Sequence, residues 1–112
     1  MDDATLARHR SQLEQRLAEV EAADDLGRSS QDVVTLDQQA VGRLSRQDAL
    51  MNQSMAKATQ ARRDTEARRI RMALRRIDDD EFGYCTDCGE RISDKRLSLD
   101  ATTPNCITCA QG

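Results

Sequence analysis

The chain has 112 residues, room for one domain or for one domain with an appendage. Aromatic residues make up 2% of it and charged residues 33%, so too few large apolar groups exist to offset chain entropy through a compact core of ordinary size. A formal charge of −3 argues against a domain that lives on phosphate contacts, which needs a basic excess.

The acidic opening M-D-D-A-T-L lacks the basic-then-apolar order of a signal peptide, and no apolar run approaches the length of a membrane span. The expected setting is cytoplasmic, with no membrane contact. Leu6, Leu13 and Val20 then recur every seven residues, with Leu17 in an alternate slot and Arg10 and Asp24 in the other two. That period predicts an amphipathic helix over about 4–24, roughly 30 Å long. Four apolar seam residues cannot hold a lone helix in water, so it needs a partner. His9 reads as a surface residue.

The partner is expected over about 46–79. Ser45, followed three residues later by Asp48, resembles a capping box. Met51, Met55 and Ala58 form one apolar stripe, and Ala67, Ile70, Leu74 and Ile77 form a second, slightly out of phase with the first. The fold expected is mainly α: an antiparallel coiled-coil hairpin over 1–80, then a separate finger over 81–112. Between the helices, 25–45 reads as tip or loop, with Val33 to Thr35 extended and Gly42 weakening any helix through it. The Arg-rich run from Arg62 to Arg76 reads first as a solvated face paired with acids such as Asp64 and Glu66. Its functional reading is docking on an acidic protein surface. The acids Asp78 to Glu81 oppose the helix dipole, so the helix should stop there, with Gly83 supporting the stop.

Every cysteine falls in the last quarter, as Cys85-x2-Cys88-x17-Cys106-x2-Cys109. Two residues between thiolates let a tight turn aim both sulfurs at one ion, and two such turns complete a tetrahedron, the pattern of a structural zinc site. Gly89 suits the turn after the first pair. Four thiolates leave no open coordination position, so one structural Zn2+ is expected and no metal catalysis. The competing reading is a pair of disulfides in a secreted protein. Ile92, Leu97 and Leu99, with Phe82, Tyr84 and Ile107 close by, are expected to join Ile70, Leu74 and Ile77 in one small core.

The run D-D-D-E-F-G-Y-C-T-D-C-G-E-R-I-S-D-K-R-L, followed by C-I-T-C, resembles the finger of the DksA/TraR family of bacterial transcription regulators. The resemblance implies a coiled-coil hairpin with a zinc-finger globular end. It also implies a protein that binds RNA polymerase, inserts its coiled-coil tip into the secondary channel and acts without sequence-specific DNA binding. The family's acidic tip string D-x-x-D-x-A is absent here. The tip candidates are Asp37, Asp48 and Ala49, with Asp48 favoured. Arg68, Arg69, Arg91 and Arg96 are the candidates for docking on the polymerase. The family's guanosine tetraphosphate site uses basic residues around the finger. Here Ala110 follows the last cysteine and Asp100 stands in the finger loop, leaving Arg69 as the basic group. Alarmone binding at that site is therefore not expected.

No paired carboxylate, activated nucleophile or open metal site stands out, so an enzyme is not expected. The main alternative to a polymerase-binding regulator is a zinc-stabilised coiled-coil adaptor in another protein complex. A nucleic-acid-binding zinc ribbon fits the negative charge poorly. The chain is expected to act as a monomer, although its seam could also pair between copies.

Overall fold

Asp2 accepts a hydrogen bond from the Thr5 N–H at 2.8 Å, capping a helix, α1, that runs Asp3–Asp37. In this computed structural model the backbone is described for residues 1–37 and 43–111, and the side chains for 1–27 and 46–111. Three further helices follow: α2 (Arg43–Asp78), α3 (Asp94–Leu99) and α4 (Ile107–Gln111). The fold is mainly α, an antiparallel coiled-coil hairpin with a C-terminal four-cysteine finger. Among the described residues the β-structure is an isolated antiparallel bridge between Tyr84 and Arg91.

α1 runs well past its expected end, and α2 begins before its expected start. α1 continues past Asp24 to Asp37, so Val33 to Thr35 are helical and not extended. α2 opens at Arg43, which puts Ser45 inside the helix and not at its cap. The apolar seam stops near Asp24, but the residues after it contain no proline, so the backbone keeps the donors that a helix needs. Gly42 lies outside the described residues.

The chain forms two compact units, Met1–Leu17 with Arg68–Gly112, and Ala18–Ala67. The finger thus shares a unit with the ends of both long helices. Buried in this unit are His9, Leu13, Ile70, Ala73, Ile77, Phe82, Ile92 and Leu97. His9 is not a surface residue: it is 5% exposed and meets the Phe82 ring with centroids 5.4 Å apart. Burial, and then the nearby Arg8, lower its pKa against a smaller opposing pull from Asp94. The imidazole therefore behaves as a core group at neutral pH. Tyr84, Leu99 and Ile107, by contrast, are exposed and take no part in the expected core.

α2 ends in a two-bond cap. The Glu81 N–H reaches the Arg76 carbonyl at 2.8 Å and the Asp80 N–H reaches the Ile77 carbonyl at 3.2 Å. Asp80 takes the left-handed conformation (φ 59°) that glycine usually supplies in this motif. Gly83, at φ 91°, serves the next turn, into the finger.

In the second unit the seam of α1 is Val20, Asp24 and Gly27, whereas α2 presents Ala56, Gln60 and Arg63. The Met51–Met55 stripe faces solvent, 63% and 62% exposed, and is not the packing face. A polar layer takes its place. The Gln60 side-chain amide donates to Asp24 and, at 3.0 Å, to Asp64; Arg63 donates to Gln60 at 2.9 Å and lies 3.6 Å from Asp24. Gly27 makes room for this: a Cβ there would sit 2.5 Å from the Arg63 guanidinium. An alanine in a helix interior is ordinarily worth about 1 kcal/mol over glycine. Here that gain is set against displacing a largely buried cation from its partners, which costs about 1–3 kcal/mol. Gly27→Ala is therefore expected to leave stability unchanged or lowered in the natural chain and to raise it by about 1 kcal/mol in an Arg63→Ala background, read from denaturant midpoints in a double-mutant cycle. Equal gains in both backgrounds would refute the coupling.

Candidate metal centre

The finger begins where α2 stops, and its first turn is built by backbone bonds. The Cys85 N–H donates to the Glu90 carbonyl at 2.7 Å, the Gly89 N–H returns to the Cys85 carbonyl at 2.9 Å, and the Ile92 N–H closes on the Gly83 carbonyl at 2.7 Å. Gly89 has φ 76° with open space around it, so its role is conformational. The second pair sits at the start of α4, where the Ala110 N–H donates to the Cys106 carbonyl at 2.9 Å.

Two bonds fasten the turns to each other. The Thr86 N–H donates to the Pro104 carbonyl at 2.9 Å, and the Thr86 hydroxyl lies 2.8 Å from the Asn105 side-chain oxygen. The loop between the pairs is held in turn by α3. Ser93 caps α3 by accepting from the Arg96 N–H at 3.2 Å, and Arg96 Nε donates to the Asn105 carbonyl at 3.1 Å. Asp100 accepts from both the N–H and the hydroxyl of Thr102, at 3.0 and 2.6 Å. Burial alone would raise the Asp100 pKa. The Thr102 bonds, followed by Arg69 and Arg96, outweigh it and bring the pKa down.

The geometry fits a zinc ion. The four Sγ atoms lie within 4.8 Å of one another, with Cys88 and Cys106 3.7 Å apart. Zinc–sulfur bonds of about 2.3 Å in a tetrahedron require sulfur–sulfur edges of about 3.8 Å. A disulfide needs about 2.05 Å, and all four thiols are free, which removes the disulfide reading. The N–H of Cys88, helped by those of Cys106 and Asp87, brings the Cys85 thiol down to about 6, and the neighbouring sulfurs, Cys106 first, push Cys109 up. Four thiolates this close repel one another, and a dication in their midst resolves the conflict. The site holds one structural zinc, with no position open for substrate.

The other residues singled out by sequence are placed differently. Arg69 pairs with Asp100 at 3.3 Å and Arg91 with Asp94 at 3.4 Å. Half-buried Arg96 braces the second turn, and Arg68 is exposed on α2. Asp48 is exposed on α2 and Ala49 beside it is half-buried. Asp37 closes α1, and its side chain lies outside the described residues. Thr86 and Asn105, which shape the site, were not singled out, since short polar residues in a loop have no periodicity to betray them.

Residues 80–112 match the family model described as prokaryotic dksA/traR C4-type zinc finger. The finger belongs to the DksA/TraR family. Over 42 residues the chain is 43% identical to the RNA polymerase-binding transcription factor DksA of Haemophilus influenzae, and 38% identical to the protein of the same name from Escherichia coli. That stretch is 38% of this chain but spans only 29% and 28% of those relatives' lengths. Across the fold, the chain is similar to the transcription factor DksA2 from Pseudomonas aeruginosa, with a TM-score of 0.85 at 20% identity over 98% of this chain and 83% of that one. The DksA-like architecture thus extends beyond the stretch in which sequence identity is visible.

Zinc content should be one ion per chain. Chelation should release it together with amide-exchange protection at Phe82, Cys85 and Ile92, because metal affinity at such a site is folding free energy. Protection that survives complete zinc removal would show that the apolar core alone holds the finger.

Proposed function

We propose that this protein binds bacterial RNA polymerase and regulates transcription through the secondary channel, with its coiled-coil tip as its working part and without reading DNA sequence. The observation that carries this is the finger, which matches proteins named as RNA polymerase-binding transcription factors. The negative charge and the closed metal site support a role that is neither DNA readout nor catalysis. Among the described residues no helix is long and apolar enough to cross a membrane.

In this reading a carboxylate at the tip acts electrostatically on the polymerase near its catalytic magnesium. Differential affinity for one promoter-complex state then shifts transcription. Asp48 is the leading candidate because it is exposed. Asp37 remains the second, and Ala49 its neighbour on the seam. Of the docking candidates, Arg68 and Arg91 are exposed, whereas Arg96 already serves the finger loop. The Arg69–Asp100 pair supports the absence of guanosine tetraphosphate binding at the finger, since the basic group left for the phosphates is neutralised. The intrachain polar layer supports a monomer.

An adaptor role in a different complex is the second reading, favoured by the missing D-x-x-D-x-A string. Purified core polymerase separates the two. The natural chain should be retained by it, and Asp48→Asn should keep binding while losing at least about half of the transcriptional effect. Asp48→Asn is a cleaner probe than a change at half-buried Ala49. No retention of the natural chain would favour the adaptor, and an unaltered effect of Asp48→Asn would move the tip assignment to Asp37. In the same preparation, saturable alarmone binding abolished by Arg69→Ala would contradict the reading of the finger.

A further inference from the structure

In the finger unit α2 turns Ile70, Ala73 and Ile77 inward, and all three are buried. The opposite side carries Arg68, Met72 and Arg75 at i, i+4 and i+7, all exposed, Met72 by 53%. Three other arginines of this helix are engaged within the chain: Arg63 with Gln60 and Asp24, Arg69 with Asp100, Arg76 with the Thr102 carbonyl. Of the acids within helical reach of the outward pair, Asp64 accepts from the Gln60 amide and Asp78 pairs with the Arg10 guanidinium at 2.6 Å, while Asp79, four residues after Arg75, is exposed. An otherwise acidic protein therefore presents two guanidiniums flanking a solvent-facing thioether.

We infer that this outward stripe of α2, Arg68–Met72–Arg75, is a protein-docking surface whose partner offers carboxylates around an apolar socket. The inference rests on the polymerase reading and names the chemistry of the polymerase surface that meets the base of the hairpin. Charge complementarity selects an acidic partner. Met72 at the centre selects a protein over a nucleic acid, because a phosphate backbone gains nothing from an apolar anchor. Methionine and arginine are enriched in interface cores, where the first fills a pocket and the second makes charge-assisted hydrogen bonds.

The test is binding of the full, zinc-loaded chain to purified core RNA polymerase at several salt concentrations. Met72→Asp should weaken binding by about tenfold or more, as loss of a central anchor does. Arg68→Gln with Arg75→Gln should slow association and flatten the salt dependence, as loss of steering charges does. Melting temperature and zinc content identify any variant that fails to fold. Met72→Gln, a good helix former, replaces Met72→Asp in that event, with the same direction of effect expected. Natural affinity and salt dependence in all variants would sink this inference and leave the polymerase reading standing. A natural chain that does not bind polymerase would sink both. Salt-steep binding to duplex DNA that is lost in the double arginine variant would overturn the inference in favour of nucleic acid.

Discussion

Four sulfurs within 4.8 Å of one another are tolerable as thiolates only around a dication, and the globular end of this protein is organised by that requirement. The supply of large apolar groups is small, with one Phe and one Tyr in the chain, and Tyr84 is exposed. What remains for the finger is Phe82, Ile92 and Leu97, joined by Ile70 and Ile77 from α2. A core of that size is marginal by itself, and a metal offsets chain entropy that hydrophobic burial cannot. The same need explains why the finger does not stand apart from the hairpin. It borrows the ends of both long helices, including the His9 ring laid against Phe82, to enclose what little apolar surface it has.

The second unit answers the same shortage differently. Alongside buried Val20 and Ala67, its seam contains Ala56, Gln60, Arg63, Asp24 and Gly27, so burial contributes less than in the finger unit and hydrogen bonds select the pairing. Polar seams of this kind cost stability relative to apolar ones but discriminate between registers, because a slipped register leaves buried donors without acceptors. Arg63 shows how narrow the tolerance is. Its Nε is buried without a hydrogen bond even though Asp24 lies 3.6 Å away, and a Cβ at residue 27 would force its guanidinium to shift.

How far the sequence could be read follows from these two solutions. The α1 seam of Leu6, Leu13, Leu17 and Val20 was legible because apolar residues at heptad spacing occupy it, and Asp24 was correctly placed in it without its purpose being visible. The four cysteines were legible because zinc geometry restricts their spacing. The seam of α2 was misread in its first half, where Met51 and Met55 attract the eye but face solvent. The inward positions there are alanine, glutamine and arginine, which an apolar-periodicity argument passes over. His9 was misread for a related reason: a lone polar residue reads as surface until the Phe82 ring that covers it, distant in sequence, is known. Helix ends fared unevenly. α2 stops at Asp78, where the acids Asp78 to Glu81 were expected to end it, although the left-handed backbone is at Asp80; α1 outruns its apolar pattern.

The two faces of α2 in the finger unit show why an apolar residue in an apolar-poor protein carries information. Inward positions there are filled down to alanine: Ala73 is fully buried. Met72 next to it is larger and more apolar yet stays in water. Exchanging which of the two adjacent side chains faces the core would require rotating the helix by about 100°, which would expose Ile70 and Ile77 and draw Arg68 and Arg75 toward the core. The register of the seam therefore dictates that residue 72 points outward, but it does not dictate that the residue be methionine. A glutamate or lysine would serve a solvated face at least as well and would favour the helix equally. The chemistry of Met72 is thus unexplained by the fold of the isolated chain, and a surface that meets it supplies the missing constraint.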